Sequence, residues 1–165
     1  MNILLAEAPF SYSDSIVKGE RFFPLGIGYI ASFIRKKQNR NVEIFVEEVE
    51  KFEKVFKENN CDVLGISSMT NTYPMAAKMA RIAKNINPDC FVILGGQHAS
   101  SVKGDVLKAV PEIDFAAVGE GEFLMDSFLE QIETKKYNWE KIPGLIYRKA
   151  GNIFENAHVF ADSSD

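Results

Sequence analysis

The chain of 165 residues has only two cysteines, Cys61 and Cys90, and only two histidines, His98 and His158. Neither cysteine has a second thiol near it in sequence, so neither a zinc knuckle nor a disulfide framework is written here. Such thiol usage fits a reducing compartment. Metal-ligand residues are not clustered, so no metal site is expected from this chain, and acid–base catalysis has two imidazoles at most to draw on. No apolar run approaches the roughly 20 residues that span a bilayer, and the N-terminus lacks the basic, apolar and small-residue succession of a signal peptide. The expectation is a cytoplasmic protein with no membrane partner. Charge of one sign is scarce as well: 19 Lys and Arg against 23 Asp and Glu leave a formal charge of −4, which gives no footprint for a nucleic acid. What remains, 46% hydrophobic and 25% charged residues, suffices for one core of ordinary size. With so few reactive side chains, a cofactor or a partner domain is expected to supply the chemistry.

Five short apolar runs, Ile3 to Ala6, Val42 to Val46, Val63 to Ser67, Phe91 to Leu94 and Phe115 to Val118, read as buried strands. Between them apolar residues return at helical spacing: Ile27, Ile30, Ala31 and Ile34; Met75, Met79, Ile82, Ala83 and Ile86; Val102, Val106 and Val110. A short amphipathic helix fits Glu50 to Asn60 through Phe52, Val55 and Phe56, and a last helix fits about Glu122 to Glu133. Strand alternating with helix predicts an α/β fold, a doubly wound five-stranded parallel sheet of flavodoxin-like order 2-1-3-4-5. From Ile142 to Glu155 the period changes around Ala150-Gly151-Asn152, which predicts a small C-terminal β-hairpin. The expected division is a Rossmann-like domain over 1–137, the hairpin over 138–156, and a polar tail over 157–165 that looks like the start of a linker.

Ligands of such sheets lie beyond the carboxyl ends of the strands. The third strand ends in Ser67-Ser68-Met69-Thr70, with hydroxyls near a helix N-terminus; alternatively Thr70, Asn71 or Thr72 merely caps that helix. The fourth ends in Gly95-Gly96-Gln97-His98, where paired glycines admit something flat against the backbone or simply make a tight turn. The fifth ends in Gly119-Glu120-Gly121-Glu122, where carboxylates can accept hydrogen bonds or complement the helix dipole. Gly26-Ile27-Gly28-Tyr29-Ile30-Ala31 has dinucleotide-fingerprint letters but lies too far past the first strand, so packing of the first helix on the sheet explains its small residues better. The long loop from Glu7 to Phe23 carries Phe10, Tyr12, Phe22 and Phe23, which could cover a ligand.

Taken in series, Phe23-Pro24-Leu25-Gly26-Ile27-Gly28-Tyr29-Ile30-Ala31, Asp62 to Thr70, Leu94-Gly95-Gly96-Gln97-His98-Ala99, Val118-Gly119-Glu120-Gly121-Glu122 and Ile142-Pro143-Gly144-Leu145-Ile146-Tyr147-Arg148 resemble a known family. It is the N-terminal cobalamin-binding domain of cobalamin-dependent radical S-adenosylmethionine enzymes. The resemblance implies that Ser67, Ser68, Met69 and Thr70 line the cleft for the nucleotide tail of cobalamin. It implies further that Gly95 and Gly96 let tail and corrin edge lie on backbone, and that Gln97 and His98 sit near the corrin amides. Gly119, Glu120, Gly121 and Glu122 would approach from the adjacent loop.

Two departures shape the expectation. Cobalamin domains of the mutase and methionine-synthase type carry Asp-x-His-x-x-Gly after the first strand, whereas Glu7-Ala8-Pro9-Phe10-Ser11-Tyr12 has no histidine. Cobalamin bound base-off, without histidine ligation from that loop, is therefore implied. The Cys-x-x-x-Cys-x-x-Cys motif of a four-iron four-sulfur cluster is absent too, so S-adenosylmethionine and the cluster would belong to a catalytic domain downstream, and this chain alone would not catalyse the parent's methyl transfer or related radical reaction. A receiver-like signalling domain would need an aspartate where Ser67 and Ser68 stand. A flavodoxin-like flavin or nucleotide domain would need a Ser/Thr/Gly-rich loop where Ala6-Glu7-Ala8-Pro9 stands. A pure interaction domain remains if no cofactor binds.

Overall fold

In a computed structural model of the chain, residues 1–10, 24–37 and 40–158 are described. Tyr12, Phe22, Phe23 and most of the C-terminal tail, residues 159–165, lie outside them. The strands are β1 (Asn2–Glu7), β2 (Asn41–Phe45), β3 (Val63–Ser67), β4 (Phe91–Gly95), β5 (Phe115–Ala117), β6 (Leu145–Lys149) and β7 (Asn152–Glu155). The helices are α1 (Leu25–Ile34), α2 (Val49–Asn59), α3 (Tyr73–Ile86), α4 (Gln97–Val102), α5 (Asp105–Ala109) and α6 (Gly121–Glu133). The sheet runs β2-β1-β3-β4-β5-β6-β7. Its first five strands pair in parallel in the expected 2-1-3-4-5 order, and β6 and β7 continue it antiparallel past β5. The hairpin is thus an edge of the same sheet. No described helix is long and apolar enough to cross a membrane.

Each strand divides its side chains between two cores because successive residues point to opposite faces. Leu4, Ala6, Leu64, Ile66, Val92, Leu94 and Ala116 pack with residues of α2, α3, α4 and α5. Ile3, Leu5, Val63, Ile93 and Phe115 pack with α1 and α6. Local chemistry sets the helix ends: α2 stops at Asn60, whose φ of 45° is a left-handed conformation that asparagine tolerates, and α3 opens with Pro74 in its first turn.

Two expectations fail here. The stripe Val102, Val106 and Val110 reads as one helix, but the chain breaks between α4 and α5 at Lys103, φ 51°, and Gly104. The break is long-range in origin: Gly104 N donates to Glu155 Oε1 at 3.0 Å, and a Cβ on Gly104 would lie 3.0 Å from Ile153 Cγ2. The hairpin presses on that point. Of the small residues expected to pack α1 on the sheet, Ala31 does so, but Gly26 does not, since among the described residues a Cβ there would meet nothing within 4 Å.

At the amino edge of the sheet, Arg40 is nearly fully buried. Its guanidinium donates to Asp126 Oδ1 at 2.5 Å and to Glu133 Oε1 at 2.9 Å, tying the entry of β2 to α6. Cys61 and Cys90 sit at the same edge, both buried, and burial above all pushes both thiols up to about 12. They are inert apolar filling at neutral pH.

Candidate functional site

The chain reverses direction across the sheet between β1 and β3, which makes the carboxyl ends of these strands the switch point. Register places Glu7 opposite Ser67 and Ser67 opposite Gly95. By alternation Glu7, Gly65, Ser67, Gly95 and Ala117 all fall on the face covered by α1 and α6. This produces a run of small residues under the helices. Among the described residues, a Cβ on Gly95 would come no nearer than 3.9 Å to its closest neighbour, Ala117 Cβ, so they leave the space above Gly95 open.

Gly96 differs from its neighbour. Its φ is +90°, and a Cβ would lie 2.6 Å from the Ser68 carbonyl oxygen and 2.8 Å from the Ser68 nitrogen. Here glycine is required because the β3 and β4 loops cross, with Ser68 N donating to Gly95 O at 3.1 Å and His98 N to Ser68 O at 3.2 Å. Of the two glycines, Gly95 leaves room for a ligand and Gly96 serves the turn.

Ser68 is buried by this crossing, and among the described residues its Oγ has no hydrogen-bond partner. A buried hydroxyl without a partner is costly, and such atoms in native folds call for an explanation. The capping alternative for this loop does not hold. Thr72 heads α3, but its Oγ1 accepts from Met69 N at 3.0 Å and donates to Met69 O at 3.2 Å, and no side-chain cap bond to the helix forms. Met69 and Thr70 are left exposed, and Thr70 Oγ1 lies 3.3 Å from His98 Nδ1. The His98 ring stacks on Tyr73 at 4.1 Å between centroids, and burial pulls its pKa down, which favours the neutral imidazole. Gln97 opens α4 on the exposed surface beside it.

The β5 loop forms a second group. Gly119 adopts φ +95°, and the space over it is taken by the His158 ring, which also lies against Gly144. His158 is brought there by the segment after β7: Asn156 Nδ2 donates to Trp139 O and Ile142 O, both at 2.7 Å, and Gly144 N donates to Ala157 O. A groove of about 330 Å³ runs here between Glu120, Phe123, Ser127 and His158. Gly121 faces a helix: a Cβ would meet Ile30 Cδ1 at 2.5 Å, so it lets α6 approach α1. Glu122 is half-buried in the first turn of α6.

The switch point therefore gathers Ser67, Ser68, Met69, Thr70, Gly95, Gly96, Gln97 and His98, while Gly119, Glu120, Gly121 and Glu122 stand one strand away. Sequence reasoning missed three participants. Glu7 entered the sequence reading only as the first residue of a loop without histidine, yet strand register puts it beside Ser67. Tyr73, whose buried hydroxyl also lacks a partner among the described residues, reads in sequence as an ordinary first-turn aromatic. His158 lies far along the chain and reaches Gly119 only through the hairpin.

Ser68→Ala separates folding from binding. Removing an unpartnered hydroxyl is expected to leave thermal stability unchanged or slightly raised, whereas a ligand that uses it should bind more weakly by about 1 kcal/mol, roughly fivefold. Paired melting and titration curves check this.

Comparison with known proteins follows the same lines. An uncharacterized methyltransferase of Pyrococcus horikoshii, PH0819, is 31% identical over 156 residues, covering 93% of this chain and 34% of the relative. The anaerobic magnesium-protoporphyrin IX monomethyl ester cyclase of Rubrivivax gelatinosus is 31% identical over 88 residues, 52% of this chain and 16% of that protein. The cobalamin-dependent radical SAM methyltransferase TokK of Streptomyces tokunonensis is 27% identical over 88 residues, 53% of this chain and 13% of its own length. The chain thus spans about a third or less of these relatives. Among solved structures, the cobalamin-dependent S-adenosylmethionine radical enzyme OxsB, with aqua-cobalamin and S-adenosylmethionine bound, shares the fold with a TM-score of 0.79 at 16% identity, over 98% of this chain and 23% of that one. Residues 16–129, well over half of the chain, match the B12 binding domain family, and the chain belongs to that family.

Proposed function

We propose that this chain binds cobalamin at the β1, β3 and β4 ends, as the cofactor-holding module of a longer cobalamin-dependent radical S-adenosylmethionine enzyme. The observation that carries the reading is the space left over Gly95 by the described residues, which strand register sets beside the Ser67 hydroxyl at the end of β3. Together they offer a hydrogen-bonding group and backbone clearance, which a flat ring with a nucleotide tail needs. In this reading Ser67, Ser68, Met69 and Thr70 line the tail cleft, Gly95 and Gly96 lie against tail and corrin edge, Gln97 and His98 face the corrin amides, and Gly119, Glu120, Gly121 and Glu122 flank them.

Cobalamin, when bound, supplies a cobalt centre that can carry a methyl group. The chain's own part is to hold, orient and shield it. Residues 1–137 form the holder, 138–156 stiffen its β5 edge, and 157–165 lead towards the rest of the parent, where S-adenosylmethionine and a four-iron four-sulfur cluster would reside. Binding is base-off without histidine ligation from the β1 loop, which contains no histidine between Glu7 and Phe23. His98 is engaged with Tyr73 and Thr70, and His158 lies over Gly119.

Electron paramagnetic resonance of cob(II)alamin mixed with the chain tests the coordination. A bound spectrum without nitrogen superhyperfine splitting is expected. Nitrogen lines in the bound species would overturn the base-off, histidine-free reading.

A further inference from the structure

The switch point holds a titratable group to which none of the loop roles above is assigned. Glu7 ends β1 on the α1–α6 face, directly opposite Ser67 in the parallel register, and its half-buried carboxyl is hydrogen-bonded by the Ser67 side chain. Around it the floor is made of small residues: Gly65, where a Cβ would lie 2.8 Å from Leu5 Cδ2, Ser67, Gly95 and Ala117. A half-buried carboxyl over such a floor is poorly solvated as an anion. Burial raises its pKa above the ordinary carboxylate value, and the Ser67 hydrogen bond offsets this only in part. The Ser67 hydroxyl can donate to one carboxyl oxygen, which leaves the other for a ligand.

We infer that Glu7 contacts the nucleotide base of the cobalamin tail, its carboxyl sharing a proton with the ring nitrogen that is exposed when the base leaves cobalt. The inference rests on the proposed cobalamin reading and adds to it the residue that recognises the base. The chemistry is complementary: a neutral aromatic ring nitrogen can only accept, and a buried carboxyl is stabilised by gaining a proton to donate. One proton between the two groups makes the contact whichever partner formally holds it. Glu7 is then a recognition residue for tailed corrins, and the corrin ring itself is held by the other loops.

The test compares hydroxocobalamin with dicyanocobinamide, a corrin that lacks the nucleotide base, in equilibrium titrations of the wild-type chain, Glu7→Ala and Glu7→Gln. Glu7→Ala is expected to weaken hydroxocobalamin about tenfold and to leave dicyanocobinamide unchanged. Glu7→Gln, which keeps an N–H donor, should stay within about threefold of wild type for both. An equal effect of Glu7→Ala on the two corrins, or no effect on either, overturns the inference while the cobalamin reading stands. A wild-type chain that retains neither corrin removes both. Should Glu7→Ala fail to fold, infrared spectra of the wild-type chain decide. The carboxyl stretching band assigned to Glu7, by its loss in Glu7→Gln, should shift on adding hydroxocobalamin and not on adding dicyanocobinamide; a band that ignores both overturns the inference.

Discussion

Gly95→Val is expected to lose most of the cobalamin affinity of the chain while the fold keeps its full stability. Gly95 ends a central strand, has no left-handed φ, and among the described residues a Cβ there meets nothing nearer than 3.9 Å, so valine suits the backbone. The same branched side chain would fill the slot that the tail and corrin edge need. Overpacking a close contact costs about 1–3 kcal/mol, which corresponds to a loss of roughly 5- to 150-fold in affinity. Gly96→Val is the instructive control. Its φ of +90° and the approach to the Ser68 backbone make that variant a folding defect, with a lowered melting temperature along with any loss of binding. Titration and melting of the two variants side by side check the distinction. A stable Gly95→Val chain with wild-type affinity would place the cofactor elsewhere.

The second large effect concerns stability alone. Arg40→Met removes a fully buried guanidinium side chain from Asp126 and Glu133, which are about a quarter exposed, and leaves two carboxylates without the cation they share, with Lys37 beside Asp126. Breaking a buried ion pair from one side costs about 3 kcal/mol at the low end, appropriate to partly hydrated partners. For a chain of this length the melting temperature should fall by roughly 6–12 °C. Cobalamin binding should persist, because the cluster lies at the opposite edge of the sheet from the strand-end loops. The pH dependence has a definite sign. Burial works to raise the Asp126 pKa, but Arg40 and Lys37 outweigh it and hold the carboxyl below its ordinary value. The stability it contributes is present above the unfolded carboxylate pKa, about 4, and is lost as pH falls through the lower folded value. The gap in melting temperature between wild type and Arg40→Met should therefore shrink below about pH 4.

Most of the sheet was legible in sequence because buried parallel strands read as short apolar runs, Val63 to Ser67 being the clearest, and long crossovers leave few alternatives for their order. What was not legible depends on contacts between distant residues. The break between α4 and α5 is made by Glu155 and Ile153 of the hairpin, some fifty residues on. Arg148 donates to the carbonyls of Leu107 and Ile113, which anchors the hairpin as a sheet edge, and nothing local to Arg148 announces it. The candidate site shows the same division. Its loops were found from their place after strands, yet glycines that look alike in sequence separate once Cβ positions are drawn. Gly95 faces open space, Gly96 serves a loop crossing, Gly121 admits Ile30 and Gly119 receives His158. Glu7 was hidden because its neighbour, Ser67, is sixty residues away and only strand register brings them together.

The central claim is that this chain by itself holds cobalamin. The most direct measurement mixes it with hydroxocobalamin, passes the mixture over a desalting column and records the absorbance spectrum of the protein fraction. The account predicts corrin absorbance that travels with the wild-type chain in stoichiometric amount and is strongly reduced for Gly95→Val. Folded wild-type chain emerging without corrin absorbance would contradict it.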